Sequence, residues 1–431
     1  MPVMSITLIM LAVLMFVAGV PVAAALGLAS AIVIFVFRPI PNLWMLPQLF
    51  SEAAASFILL AVPLFVLVGV LMERGTMGRN LIEFSKALIG WVRGGLGAVN
   101  IVGSMIFSGI SGSSVADTAT FSTLLVPRMV EEGYPDDYSA AVTVTSSTMS
   151  TIKPPSIQIV LAAAATNQSV GAALVAGILP ATLIGFLLLI PNYFISKKRG
   201  YGKSHPFSFA VLIEKTKSCW TALLAPLIIM GSIFSGLVTP TEAAGLAVLY
   251  ILIVDCIIYR KLRLKDLWEC FKKTAEITSA ILLIASASAL MNFIIAFERV
   301  PMMLTAALTA VPGGKFGFML LFFILAIIIG MVLDATPATL IFCPLFLPAA
   351  VSLGFNPIHF ITLWVMCVAL GMTTPGYGVC VFSAASITGV PIARMVKESV
   401  PFYFVTILGM ILVAIFPEIA LIVPRLLGWL V

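Results

Sequence analysis

The chain has 431 residues, of which 61% are apolar and only 10% charged, against roughly 25% charged residues in an ordinary soluble domain. That balance excludes a water-soluble fold. The net charge of +6 comes with no basic and aromatic cluster that would point to nucleic acid, and is best explained by anchoring on the cytoplasmic face of a membrane. Six single cysteines without a Cys-x-x-Cys pair, and two histidines without a partner at ligand spacing, leave no metal centre or disulfide frame to argue for.

From the N-terminus, Ile6 to Val36 is a charge-free apolar run, longer than a signal peptide's core and without a basic flank, and is expected to stay as a retained first span. Asn42 to Ala53, with Trp44, suits a helix lying along the headgroups, and Ser56 to Leu71 spans again. Ala98 to Phe107 and Thr120 to Pro127 are too short to cross separately. They flank the polar stretch Ser108 to Thr118, which predicts a re-entrant hairpin with that stretch at its tip. Thr145 to Pro155 then breaks a full span, and Ala172 to Ile195 crosses again.

The basic segment Lys197 to Lys217, which includes Lys203, is expected to be a cytoplasmic linker. After it, Arg263 to Lys273 with Trp268 repeats the headgroup segment, and Ile277 to Phe297 spans. Phe318 to Met331 and Leu340 to Pro348 flank a second tip at Leu333 to Thr339. Gly371 to Gly378 breaks the next span, and Phe402 to Phe416 closes the series. In lipid each backbone polar group must be satisfied internally, so spans this long are helices and the fold class is all-α integral membrane.

The punctuation repeats. Thr118 and Thr339, Pro127 and Pro348, Gly133 and Gly354, Pro154 and Pro375, and Pro180 and Pro401 are each 221 apart (348 − 127, for example). Pro21 meets Pro240, and Gly94 meets Gly313, at 219. Lys and Arg mark the cytoplasmic side, and the bias alternates between the halves. Arg38 alone answers Arg260 to Lys273, whereas Arg74, Arg79, Lys86 and Arg93 are answered by Arg299 and Lys315. The repeats are therefore expected to be inverted. We divide the chain into scaffold parts 1–95 and 218–315, hairpin-bearing transport parts 96–196 and 316–431, and the linker 197–217.

Irregular polar backbone at membrane depth is tolerated only where it lines a cavity or is buried in protein. A small hard cation such as sodium needs several oxygen ligands, which hydroxyls and freed carbonyls supply without burying many charges. Ser113, Ser146, Ser147, Thr148, Thr373 and Thr374 are the candidate oxygens, although such hydroxyls also bond the carbonyl one turn back. Asp334 and Asp117 sit in apolar runs where an unpaired charge is expensive; Asp117 could equally cap a half-helix. For an anion, Lys153 and Arg299 are the basic candidates, with snorkelling and pairing to Glu298 as their bland alternatives. Paired interruptions favour alternating access over a channel, and no nucleophile and base stand at workable spacing for an enzyme.

The run Phe107 to Ala119, Pro127 with Glu132-Gly133-Tyr134, Pro154-Pro155-Ser156-Ile157, and Thr239-Pro240-Thr241-Glu242-Ala243-Ala244 together resemble the large membrane subunit of TRAP transporters, over essentially the whole chain. The resemblance implies an elevator-type importer in the bacterial inner membrane. It would be driven by sodium and take an organic acid from a periplasmic substrate-binding protein. A separate small TRAP membrane subunit is implied as a second partner. Two sodium sites are implied, one joining Ser113 to Thr145–Ser150 and one joining Asp334 to Gly371–Gly376. Ser111 and Ser156 join Lys153 and Arg299 as implied substrate contacts. Lys153, where relatives usually have an apolar residue, and Met149-Ser150-Thr151 depart from the family pattern. The Ser113 to Thr118 form looks more like the sugar-acid branch, sialic acid included, than the C4-dicarboxylate branch. A self-sufficient sodium/dicarboxylate carrier is the alternative.

Overall fold

A computed structural model describes residues 3–37, 45–202, 207–376 and 378–429, and Arg38, Trp44, Lys203, His205 and Tyr377 lie outside these. Among the described residues the fold is all-helical, with eight helical segments long and apolar enough to cross a membrane.

The apolar run Ile6 to Val36 is two helices, α1 (Val3–Val17) and α2 (Val22–Phe37), packed against each other. Gly19, at φ +84, and Pro21 end the first and start the second, because a left-handed glycine followed by proline cannot continue a helix. Next come α3 (Met45–Ala54), a 3-10 turn Phe57–Leu60, α4 (Ala61–Arg74) and α5 (Met77–Ile89). Hairpin 1 is α6 (Gly95–Ser111) and α7 (Ser114–Leu124), continued by α8 (Val126–Glu131). A broken span follows, α9 (Asp136–Ser146) and α10 (Thr148–Ile152), then α11 (Ile157–Ala165), α12 (Val170–Ala176) and α13 (Ile178–Arg199).

The second half repeats this order with α14 (Phe209–Phe234) and α15 (Pro240–Leu252), then a π-helical turn Ile253–Ile258 and α16 (Leu264–Phe297). The expected headgroup segment Arg263 to Lys273 is no separate helix but the first turns of the 34-residue α16. Residues 264–297 contain neither Gly nor Pro, so nothing breaks the ladder there. After α17 (Val300–Thr309), hairpin 2 is α18 (Gly314–Val332) and α19 (Ala335–Ser352). Its arms, at 19 and 18 residues, are longer than the sequence spacing suggests and each could cross a membrane by length. The chain then runs through α20 (Pro357–Thr373), α21 (Val379–Thr388), α22 (Ile392–Ile415) and α23 (Glu418–Leu426).

The landmarks now have structural meaning. The paired residues 133 and 354 are both left-handed glycines, at φ +90 and +80, and α9 and α20 both begin three residues later. Gly94 and Gly313, also left-handed, open the two hairpins. The halves interlock: α2 packs on α16 and α15 on α4, while the arm α7 packs on α21 and the arm α19 on α11. At the centre, α20 is surrounded by α10, α11, α12, α18 and α19, with Trp364 donating Nε1–H to Thr339 Oγ1 at 3.2 Å.

Candidate functional site

Each hairpin tip is a helix N-cap, and the two caps are again 221 apart (334 − 113). Ser113 is extended and its Oγ accepts from the Ala116 N–H at 3.4 Å. Asp334 is extended and its carboxylate accepts from the Thr336 N–H at 3.3 Å. Short polar side chains are chosen here because the first N–H groups of a helix have no partner within it. Tip 1 turns on Gly112, at φ +61, whose carbonyl accepts from the Ile157 N–H at 3.4 Å.

Both tips open on one cavity of about 460 Å³. Its lining comes from four places: α4, the middle of α16 from Lys273 to Ile284, the two tips with Thr151 and Met372, and the start of α11 at Ile157 and Gln158. Gln158 ties the halves together, donating Nε2–H to Thr336 Oγ1 at 3.4 Å. Three helix N-termini, those of α7, α11 and α19, therefore meet at one space. Their free N–H groups and aligned dipoles favour a negative charge there.

The proposed cation ligands fall as follows. Thr145, Ser146, Ser147 and Thr148 line the α9–α10 junction and are buried; each hydroxyl donates to a carbonyl within one turn, at 2.8, 3.1, 2.7 and 2.8 Å. Thr373 and Thr374 both donate to the Leu370 carbonyl, at 2.9 and 2.5 Å. A hydroxyl that has given its proton to the backbone keeps its lone pairs free to face a cation. The residue that joins tip 1 to the first break is Ser114, whose Oγ donates to the Ser147 carbonyl at 2.6 Å and contacts Thr151 Oγ1, while Ser113 faces the cavity. At the second break Gly371 lies against Gly330 of α18, and Gly376 lies against Met331, beside tip 2.

Of the proposed anion contacts, Ser111 lines the cavity with a buried hydroxyl that has no partner among the described residues. Ser156 is turned to capping, its Oγ accepting from the Ile159 N–H at 3.2 Å. Lys153 points to the incoming arm and donates to the Met105 carbonyl at 2.7 Å, away from the cavity lining. Arg299 is exposed at the start of α17, 15 residues past Ile284, the last α16 residue of the lining, or roughly 20 Å along a helix axis. Its neighbour Glu298 accepts from the N–H groups of Met4 and Ser5, at 3.0 and 2.5 Å, capping α1. Asp117 is not the cap of α7. It is fully buried beside Ser104 and Ser150, and neither carboxylate oxygen has a hydrogen-bond partner among the described residues.

The cavity's charged side chains are Asp334, Glu73 at the end of α4, and Lys273 of α16. Neither Glu73 nor Lys273 carries a local sequence signal, since both read as ordinary ends of spans. A substrate-sized cavity between repeated helical halves, entered by two hairpin tips and two broken helices, defines a secondary transporter.

The chain belongs to the family described as the DctM component of tripartite ATP-independent periplasmic transporters, which matches residues 8–419. It is 31% identical over 404 residues to the C4-dicarboxylate TRAP transporter large permease DctM of Pseudomonas aeruginosa, covering 94% of each chain. It is 32% identical over 371 residues to the sialic acid TRAP transporter large permease SiaM of Vibrio cholerae, covering 86% of this chain and 87% of that one. Among solved structures, the YdaH transporter of Alcanivorax borkumensis shares its fold with a TM-score of 0.61 at 15% identity, over 86% of this chain and 87% of that one. The protein is thus a multi-pass membrane permease of the TRAP class and not an enzyme.

Proposed function

We propose that this permease imports an organic acid across the bacterial inner membrane, driven by sodium. It would work with a separate small membrane subunit and a periplasmic binding protein that delivers the solute. The observation that carries the acid is the meeting of three helix N-termini at one cavity with a buried, unpartnered hydroxyl at Ser111. The sodium reading rests on the hydroxyls of Thr145 to Thr148 and of Thr373 and Thr374, whose lone pairs remain free beside irregular backbone. Sodium bound at both breaks would order the tips, complete the anion pocket, and let the hairpin-bearing part slide against the scaffold.

A sugar acid such as sialic acid is the favoured cargo, on the Ser113 to Thr118 form, and a C4-dicarboxylate comes next. Relatives named for the two cargoes are equally similar, at 32% and 31% identity, so overall likeness does not choose between them. The test is uptake of labelled sialic acid and succinate into liposomes holding this chain and its small subunit, with and without binding protein and a sodium gradient. Uptake that needs both additions supports the reading and names the cargo; uptake with sodium alone replaces it with a self-sufficient carrier. Asp334→Asn should weaken sodium dependence without loss of assembly, and an unchanged sodium dependence would remove Asp334 from the site.

A further inference from the structure

We propose that Lys273 takes the carboxylate of the solute at the mouth of the cavity, and that Glu73 is its resting counter-ion. The pair would exchange partners as the solute passes. This rests on the organic-acid reading above.

Lys273 lines the cavity as the head of a stripe with Ile277, Ala280, Ile281 and Ile284, the spacing of one helix face. Glu73 ends the matching stripe of Val66, Gly69 and Val70 on α4. Lys273 Nζ lies 2.9 Å from Glu73 Oε2, and the two side chains are 49% and 32% exposed. Lys273 is the one cation in the cavity lining among the described residues. The helix N-termini offer N–H groups and dipoles to an anion, but only this ammonium offers a full positive charge.

Two features make the pair exchangeable. An ion pair this exposed is weak, so one carboxylate replaces another at little cost. The helices do not depend on it, because Arg74 bridges α4 to α16 separately, through Glu269 at 2.6 Å and Asp266 at 3.7 Å. Arg74 and Lys273 both belong to segments whose basic residues assign them to the cytoplasmic face, which makes this mouth the point of release for an importer. There the solute's carboxylate would hold Lys273 until Glu73 recovers it.

The experiment is exchange of labelled sialic acid and of succinate in liposomes holding the full complex with its binding protein, read as the half-saturating concentration on the cytoplasmic side. Lys273→Gln should raise it by up to about five-fold, the reach of one exposed charge pair. Glu73→Gln, which frees Lys273, should lower it, and Lys273→Arg should keep it. Opposite signs for the first two variants support the proposal. A purely structural bridge would move both the same way, and that result overturns it. Should Lys273→Gln fail to assemble, the sign for Glu73→Gln decides alone. If the wild type exchanges neither probe, the acid-import reading falls and this one with it.

Discussion

Gly112 offers the sharpest test of the tip geometry. A Cβ built there would stand 2.2 Å from the Pro155 carbonyl oxygen, where ordinary contact begins at 3.4 Å, so tip and break would have to part by 3.4 − 2.2 = 1.2 Å. That exceeds the slack in the Ile157 N–H to Gly112 carbonyl bond, already 3.4 Å long. Gly112→Ala therefore carries two costs: about 1–2 kcal/mol for a left-handed alanine, and about 1–3 kcal/mol for overpacking a rigid contact.

Gly133→Ala separates the two costs. It has φ +90 but nothing within 4 Å of its added Cβ, so it carries only the backbone part. Since about 1.4 kcal/mol is ten-fold in a population, the packing part alone should make Gly112→Ala lose about ten-fold more sodium-dependent uptake than Gly133→Ala. Hydrogen exchange across residues 111–117 should rise in Gly112→Ala alone. If the two variants are indistinguishable in uptake and exchange, the packing of the tip against the break is not what the structure describes.

Two further outcomes follow from packing. Gly371→Ala would bring a Cβ within 2.6 Å of the Gly330 backbone, whereas Gly245→Ala in α15 meets nothing within 4 Å. In thermal denaturation of the purified protein the first should be less stable by about 1–3 kcal/mol and the second unchanged or slightly more stable. Asn100→Leu removes a buried amide that donates to Thr143 Oγ1 at 2.6 Å and whose oxygen shares the Ser146 hydroxyl proton with the Thr143 carbonyl, at 3.3 and 3.1 Å. Two hydroxyls lose partners, so about 2–3 kcal/mol of stability should go, read in the same assay. A change under about 0.5 kcal/mol would mean the network is not formed.

What the sequence reveals here is local or periodic. The tips at Ser113 and Asp334 are legible because short apolar arms flank a polar stretch in each half, and the hydroxyl clusters are legible because they interrupt apolar runs. The unbroken α16 and the break at Gly19 to Pro21 depart from the expected headgroup segment and single first span, and their cause is the absence of Gly and Pro in one stretch and their presence in the other. The pairing of Glu73 with Lys273 is different in kind. The residues are 200 apart and meet only because α4 packs on α16, so each looks alone like the charged end of a span. The same holds for Gln158 and Thr336, which join the halves across the cavity. Lys153 is legible as an oddity, a cation beside a break, but its partner, a main-chain carbonyl at Met105, leaves no mark in the sequence.

The repeated feature at the two tips is a close approach rather than a residue. Gly112 meets Pro155 in the first half, and Met331 meets Gly376 in the second, with 376 − 155 = 221 and 331 − 112 = 219, the two offsets of the repeat. The small residue sits on the tip in one half and on the break in the other, as it must if only one side of each contact needs to lack a Cβ. Each arm beyond the tip is then braced by the other half, α7 by α21 and α19 by α11. The arm of each hairpin therefore rests on the helix that follows the opposite break.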